Sequence, residues 1–308
     1  MVPDLTDRDS IQPFQIDGLN LSGRLVRLGE TVDQVLTQHC YPEPVSRLLG
    51  ELMALAAALG SGLKFDGRLT AETRGDGPIR LLAVDFMSDG AMRGYASFDA
   101  EGVTAAQDHT ATESSPVPRF LGNGLLALTV DQGPDTELYQ GIVKLDGATL
   151  GDCAHNYFQQ SDQVDTALKL AIGDGEDGWH AGALTLQRLA ELGAGDEPVF
   201  RADREDAWRT GVALLGTATS SELIDGRLST HDLLYRLFHE EGVRVFDPRA
   251  VRFQCSCSDE RALAILGQMP AKEIEDLVVD GVLEVVCQFC NRTQVFTPDQ
   301  IGDAAQES

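Results

Sequence analysis

Four of the six cysteines lie in two short stretches near the C-terminus: Cys255 and Cys257 in "FQCSCSDER", Cys287 and Cys290 in "VVCQFC". Sulfurs at CxC and CxxC spacing supply the two ligand pairs of a closed tetrahedral zinc site, each pair on a tight turn. Residues 258–286 separate the pairs, enough for a helical excursion that returns to the metal. About 55 residues run from Phe253 to the last residue, near the size at which small domains need a metal or disulfides to fold alone. The leading expectation is one zinc per chain in the reduced state, held by Cys255, Cys257, Cys287 and Cys290. The competing readings are reduced thiols packed as small apolar groups, or a thioredoxin-like CxxC. The latter opens a helix in a βαβ setting, whereas Gln288 and Phe289 fall inside an expected hairpin.

The CxC half adds redox chemistry. One spacer residue holds the two Cα atoms about 5.5–7 Å apart, at or beyond the upper end of the disulfide range. A bond there is strained, and strained disulfides are the labile, regulatory ones. Metal-bound sulfurs are thiolates, the form that oxidants attack. Oxidation to two disulfides removes the ligand set, and a module this small then loses its fold as well.

Positioning the sulfurs falls to a compact tail. Ser258 reads as an N-cap before "DERALAILGQM", with Asp259 and Glu260 placed for the helix dipole. Pro270 opens a second short helix carrying Ile274, Leu277 and Val278. Asp280-Gly281 turns the chain into strand "VLEVVC", the CxxC forms a knuckle, and "TQVF" returns as the hairpin partner.

Upstream, residues 1–193 read as a mixed α/β domain. Helices are expected over 31–39 and 45–59, the second apolar on nearly every face except Arg47 and Glu51 and therefore buried. Strands are expected over 79–87, 93–98, 125–130 and 140–145. "YFQQSDQVDTALKLAI" reads as an extended start followed by a helix capped by Ser161 and carrying Val164, Leu168 and Ile172. "GDGEDGWH" reads as an acidic turn. From Ala194, "GAGDEP" is linker-like, and helices follow over 203–215, 220–224 and 230–241, the last closed by Gly242. Leu233, Leu234, Leu237 and Phe238 make one apolar stripe on it, which by default faces a core and, between two domains, can have an impermanent partner. The expected class is α+β: an N-terminal α/β domain (1–193), a helical linker (194–250) and a zinc-binding module (251–308).

Composition narrows function. The chain has 308 residues, 43% hydrophobic, and a formal charge of −25. Such acidity argues against nucleic acid, whose phosphates need Lys and Arg, and against anionic membrane surfaces. "MVPDLTDRDS" lacks the basic and apolar regions of a secretory signal, and "LLGELMALAAALGSGL" is interrupted by Glu51 and three glycines, short of the ~20 apolar residues of a span. A cytoplasmic address is expected, where clustered cysteines serve metal or redox chemistry rather than structural disulfides.

"FQCSCSDER" with "EVVCQFC" resembles the zinc-binding tail of the redox-regulated bacterial chaperone family, the heat-shock protein of thirty-three kilodaltons. "YPEPVSRLLGELMALAAALGSGLKFDGRLT", "GDGPIRLLAVD", "RGYA", "YQGIVKLDG", "YFQQSDQ" and "LLYRLFHEEGVRVF" extend the resemblance, in the family's order, over nearly the whole chain. It departs from the family at Gln294, a position often aromatic there, and in "GALTLQRLAE", which lacks an expected proline. The resemblance implies that the four cysteines bind zinc when reduced and pair as Cys255–Cys257 and Cys287–Cys290 when oxidised. It further implies ATP-independent holding of unfolded client proteins under stress, switched on by oxidation plus unfolding, with an oxidised form that dimerises.

A zinc ribbon that only docks a partner is the alternative. Its nucleic-acid version is disfavoured, because residues 251–308 carry ten acidic against four basic side chains where a basic footprint is required. An enzyme is not expected: four thiolates close the metal sphere, no GxxxxGK[ST] loop occurs, and "FLGNGLLAL" is better read as a turn. His39-Cys40 looks like a nucleophile pair on paper, and His155 beside Cys153 offers a second metal-ligating group, but a role-free thiol at Cys40 and a core thiol at Cys153 are the expectation.

Overall fold

The computed structural model describes residues 8–63, 65–108, 115–133, 136–161, 165–189 and 201–307. It divides into two compact units, residues 1–253 and 254–308. In chain order the first contains β1 (Ser10–Ile16), β2 (Leu21–Leu28), α1 (Glu30–Thr37), α2 (Glu43–Gly60), β3 (Arg68–Gly75), β4 (Ile79–Met87), β5 (Ala91–Phe98), α3 (Ala100–Asp108), β6 (Gly124–Asp131), β7 (Tyr139–Lys144), α4 (Leu150–Ser161), β8 (Thr166–Gly175), β9 (Gly178–Arg188), α5 (Arg201–Gly216), α6 (Ser220–Ile224), α7 (Thr230–Phe238), β10 (Val243–Val245), β11 (Arg249–Ala250) and β12 (Arg252–Phe253). The second contains α8 (Asp259–Leu266), α9 (Ala271–Leu277), β13 (Leu283–Val286), β14 (Thr293–Phe296) and α10 (Pro298–Glu307).

Pro44 in the first turn of α2 starts it, the missing N–H being one that no helix uses there. The helix is then buried along nearly its whole length, as its all-round apolar sequence requires. It packs between two sheets. One has the order β10-β1-β2-β9-β8, with β11 also on β1, and is antiparallel throughout. The other has the order β12-β5-β4-β3-β6-β7, antiparallel except for the parallel β12–β5 pair.

The first sheet is covered on both faces. Ile11, Val26, Leu28, Ala181 and Ala183 face the core around α2, while Phe14, Ile16, Leu21, Leu25, Leu184 and Leu186 face a second core with α5–α7. Gly23 is required on that second face, because a Cβ there would fall 2.3 Å from the Phe14 ring. Double coverage also explains an error in the sequence reading. Residues 166–175 form a strand, not a helix, and the stretch from Tyr157, expected to start extended, is instead the end of the helix over 150–161. Ala167 and Ala171 point to one core, Leu168, Leu170 and Ile172 to the other, so the strand lacks the polar alternation that marks a half-exposed one. Val164 lies outside the described residues. The N-terminus of α4 is signalled by Thr149 and Asp152: Asp152 N donates to Thr149 Oγ1 at 3.1 Å, and Thr149 N donates to Asp152 Oδ2 at 2.9 Å. The strands β1, β2, β3 and β9 were likewise not expected.

Of the expected linker, 194–250, residues 194–200 lie outside the described residues and 201–250 pack with the larger unit. The expected stripe is fully used: Leu233, Leu234 and Phe238 are 0% exposed and Leu237 4%, with Phe238 stacked on Phe14 at 5.6 Å. Polar ties reinforce the packing. Arg27, buried on β2, donates to the Leu228 carbonyl and, at 3.0 Å, to that of Glu222, Lys169 donates to the Ala218 carbonyl, and Arg188 pairs with Glu205 at 2.8 Å.

Glu51 is the costly residue of α2. Burial pushes its carboxyl up to about 7, against the pull of Arg47. The fold therefore keeps a proton that the unfolded chain gives up near 4.5. Its contribution is intact below that value and is lost as pH rises to about 7. Glu51→Gln is expected to be more stable than the parent above pH about 7, by about 1–3 kcal/mol at ~1.4 kcal/mol per unit. Thermal melts across pH check this; the gain should vanish toward pH 4.5.

Candidate metal centre

In the smaller unit each expected signal forms its element. Ser258 caps α8, its Oγ accepting from Arg261 N at 3.3 Å, and Arg261 reaches back to the Ser256 carbonyl at 3.0 Å, steadying the CxC turn. Asp280 and Gly281, both at positive φ, turn the chain into the β13–β14 hairpin. At its tip Cys287 N donates to the Arg292 carbonyl at 2.9 Å and Asn291 N to the Cys287 carbonyl at 2.8 Å. Asn291 takes the left-handed conformation that closes this knuckle, one that Asn tolerates well. Gln294, where the family often has an aromatic residue, is buried and donates to Asp259 Oδ1 at 2.5 Å, tying hairpin to helix.

The core beneath is small: Ala262, Leu266, Ile274, Leu283, Phe296 and Ile301. Val278 packs against it, but Leu277 is 52% exposed. Ile301 comes from α10, which sequence reading missed although "TPDQ" carries its start signal: Thr297 N donates to Gln300 Oε1 at 2.9 Å, half of a capping box.

On this scaffold the four expected sulfurs meet. Those of Cys255, Cys257, Cys287 and Cys290 all lie within 4.8 Å of one another, with Cys255–Cys287 at 3.7 Å and Cys257–Cys290 at 3.4 Å. Ligands 2.3 Å from a central zinc in tetrahedral array stand about 3.8 Å apart, so the cluster can hold such an ion. Each thiol is half-buried and in no disulfide. Burial pushes the Cys257 and Cys290 thiols above their ordinary range, and neighbouring sulfurs add to it. Without a cation such a group resists ionising together; a bound divalent ion reverses that balance.

The other candidates stay apart. Cys40 is exposed at the end of α1, its Sγ 3.7 Å from the Thr37 carbonyl, and His39 stacks on Tyr41 at 5.0 Å. Cys153 is buried in the main core, its thiol pushed up to about 11 by burial and by Asp152 and Asp146, while the His155 ring contacts Gln159. Among the described residues the four-cysteine group is the one with metal-holding geometry, and no helix is long and apolar enough to cross a membrane.

The family model described as "Hsp33 protein" matches residues 9–297. The chain is 42% identical over 295 residues to the 33 kDa chaperonin of Caulobacter vibrioides (strain NA1000 / CB15N), covering 94% of this chain and 95% of that protein. It is 41% identical over 305 residues to the 33 kDa chaperonin of Pseudomonas fluorescens (strain SBW25), covering 98% and 94%. The fold matches the crystal structure of the 33 kDa chaperonin (heat shock protein 33 homolog) of Thermotoga maritima, with TM-score 0.78 and 22% identity over 97% of this chain and 98% of that one.

Metal titration separates ligands from bystanders. The reduced apo protein should take up one zinc or cobalt ion per chain, with sulfur-to-cobalt charge-transfer bands. Cys287→Ser should weaken the affinity at least about tenfold in chelator competition, in the range that changes to a metal shell produce. Cys40→Ser and Cys153→Ser should leave it unchanged.

Proposed function

The chain belongs to the Hsp33 protein family, and from that membership we propose that it is an ATP-independent holdase switched on by oxidation. Its four C-terminal cysteines are the sensor and its α5–α7 segment is the latch. In the reduced state Cys255, Cys257, Cys287 and Cys290 hold one zinc ion. The metal supplies positive charge that keeps four thiolates together and, in a unit with so small a core, much of the folding energy. The observation that carries this reading is the convergence of the CxC and CxxC sulfurs at tetrahedral spacing in a unit of about 55 residues, too small to rely on its core alone.

Oxidation proceeds within the clusters, as Cys255–Cys257 and Cys287–Cys290. Each pair gives two electrons to one peroxide, whose oxygens leave as water. With the ligand set gone, residues 254–308 unfold. The three roles then map as client-binding scaffold (1–193), latch (194–250) and sensor and switch (251–308).

Unfolding frees the chain directly after β11 and β12, strands of two residues each, paired to β1 and β5. Pairing that short is marginal, so the segment frays back toward α7. The stripe itself holds harder: Leu233, Leu234, Leu237 and Phe238 gain about 1.5–3 kcal/mol each from burial. Oxidation alone therefore leaves α7 docked, and mild unfolding stress is needed to lift it. Lifting exposes Phe14, Ile16, Leu25 and Leu184 on the second face of the sheet, a contiguous apolar surface of the kind that binds unfolded chains. Exposed Leu138, Tyr139 and Ile142 around β7 add to it. The strong negative charge keeps the open form soluble in the cytoplasm, and two open copies pair through the same surface.

Peroxide with mild warming should remove four thiols, release the metal and switch on suppression of client aggregation, with peptide mapping finding the two within-cluster disulfides. Cross-cluster disulfides, or activity arising with all four thiols intact, would rule this mechanism out. Leu234→Glu buries a charge in the latch and should raise holding activity in the reduced full-length protein. A chain ending at Phe253 should hold clients without oxidant on mild warming. If both variants stay folded and inactive, residues 254–308 are part of the binding surface instead.

A further inference from the structure

Arg24, on β2, is a half-buried cation that has no carboxylate partner among the described residues. Burial and the nearby Arg249 both disfavour its charge, and among those residues its guanidinium makes a single long hydrogen bond, 3.4 Å to Gln187 Oε1. The other cations of the sheet are committed: Arg27 and Lys169 to backbone carbonyls, Arg188 to Glu205. Arg249 is also engaged, on the carbonyls of Ser61 and Ser88. Arg24 instead lines a cavity of about 280 Å³ in the larger unit, between the end of α2 and the two sheets. Its position is built in. Gly62 leaves room for the guanidinium, since a Cβ there would come within 2.8 Å of Arg24 Cζ. The remaining wall is mostly apolar, with Leu59, Leu128, Val130 and Phe158 contributing.

We infer that this cavity binds a small organic acid with an apolar tail, its carboxylate forked onto Arg24 and its tail against Leu128, Val130 and Phe158. The planar guanidinium fork matches a carboxylate with two parallel hydrogen bonds. Apolar walls cannot replace the hydration of a second negative charge, and the formal charge of −25 repels multiply charged ligands. A monoanion is thus selected over phosphate. The cavity volume is close to the lower end of small-molecule pockets, about 300–1,000 Å³, which suits an acid with a single medium-length chain. The inference is independent of the thiol switch.

The test uses full-length, reduced, metal-loaded protein and decanoate below its micelle-forming concentration, followed by calorimetry. One decanoate per chain should bind saturably, decanol should bind at least about tenfold more weakly for lack of the charged hydrogen bonds, and inorganic phosphate should not compete. Arg24→Gln should weaken decanoate about 10- to 100-fold, and Val130→Phe, which fills the cavity from β6, should abolish binding. In the parent protein the ¹³C-carboxyl signal of bound decanoate should titrate below that of the free acid, a readout that survives if a variant fails to fold. Decanol binding as tightly as decanoate, a folded Arg24→Gln binding as well as the parent, or a bound carboxyl titrating at or above the free acid would each overturn the assignment, as would the absence of saturable binding.

Discussion

Four half-buried sulfurs within 4.8 Å of one another are poor company unless a cation sits among them. Burial pushes the Cys257 and Cys290 thiols above their ordinary range, and four thiolates in that space repel. Among the described residues the surrounding unit buries six apolar side chains in its core, so it has little else to offset the entropy of ordering its chain. In the proposed function, charge balance at the cluster is coupled to the fold of the smaller unit, so that chemistry altering the sulfurs alters the fold.

The larger unit is built on a different balance. Its α2 is buried between two sheets, and one sheet has a second apolar face that α5–α7 must cover. That cover is held by apolar burial and by cations donating to backbone carbonyls, with Arg27 and Lys169 as the fixed points. It is strong enough to be the resting state. Yet its C-terminal continuation, β10 to β12, is a run of strands two or three residues long. Local stability thus falls along the chain from the stripe of α7 toward residue 253, and graded stability of this kind lets one segment open while the rest stays folded.

Arg24 is an exception to the economy of the same sheet. Neighbouring cations end on carbonyls or carboxylates, and this one ends at a cavity wall. An uncompensated charge beside apolar surface is expensive, which is why an anionic occupant follows from the geometry.

Much of this was legible in the sequence where the determining signals are local. Cysteine spacing, the Ser258 cap, the Asp280-Gly281 turn and the all-apolar α2 act through their near neighbours, and each forms the element it announces. The stripe of α7 was visible as a stripe because a helix exposes its other face. The strands β1, β2, β8 and β9 were not visible, since a sheet covered on both sides erases the alternation that identifies a strand. Only the tertiary fold decided what the stripe covers, that residues 201–253 belong to the larger unit, and that Arg24 meets a cavity rather than an acid. These depend on residues more than a hundred positions apart, such as Phe14 with Phe238 and Arg24 with Gln187, and the pairing of distant surfaces is set by burial summed over the whole chain rather than by any local pattern.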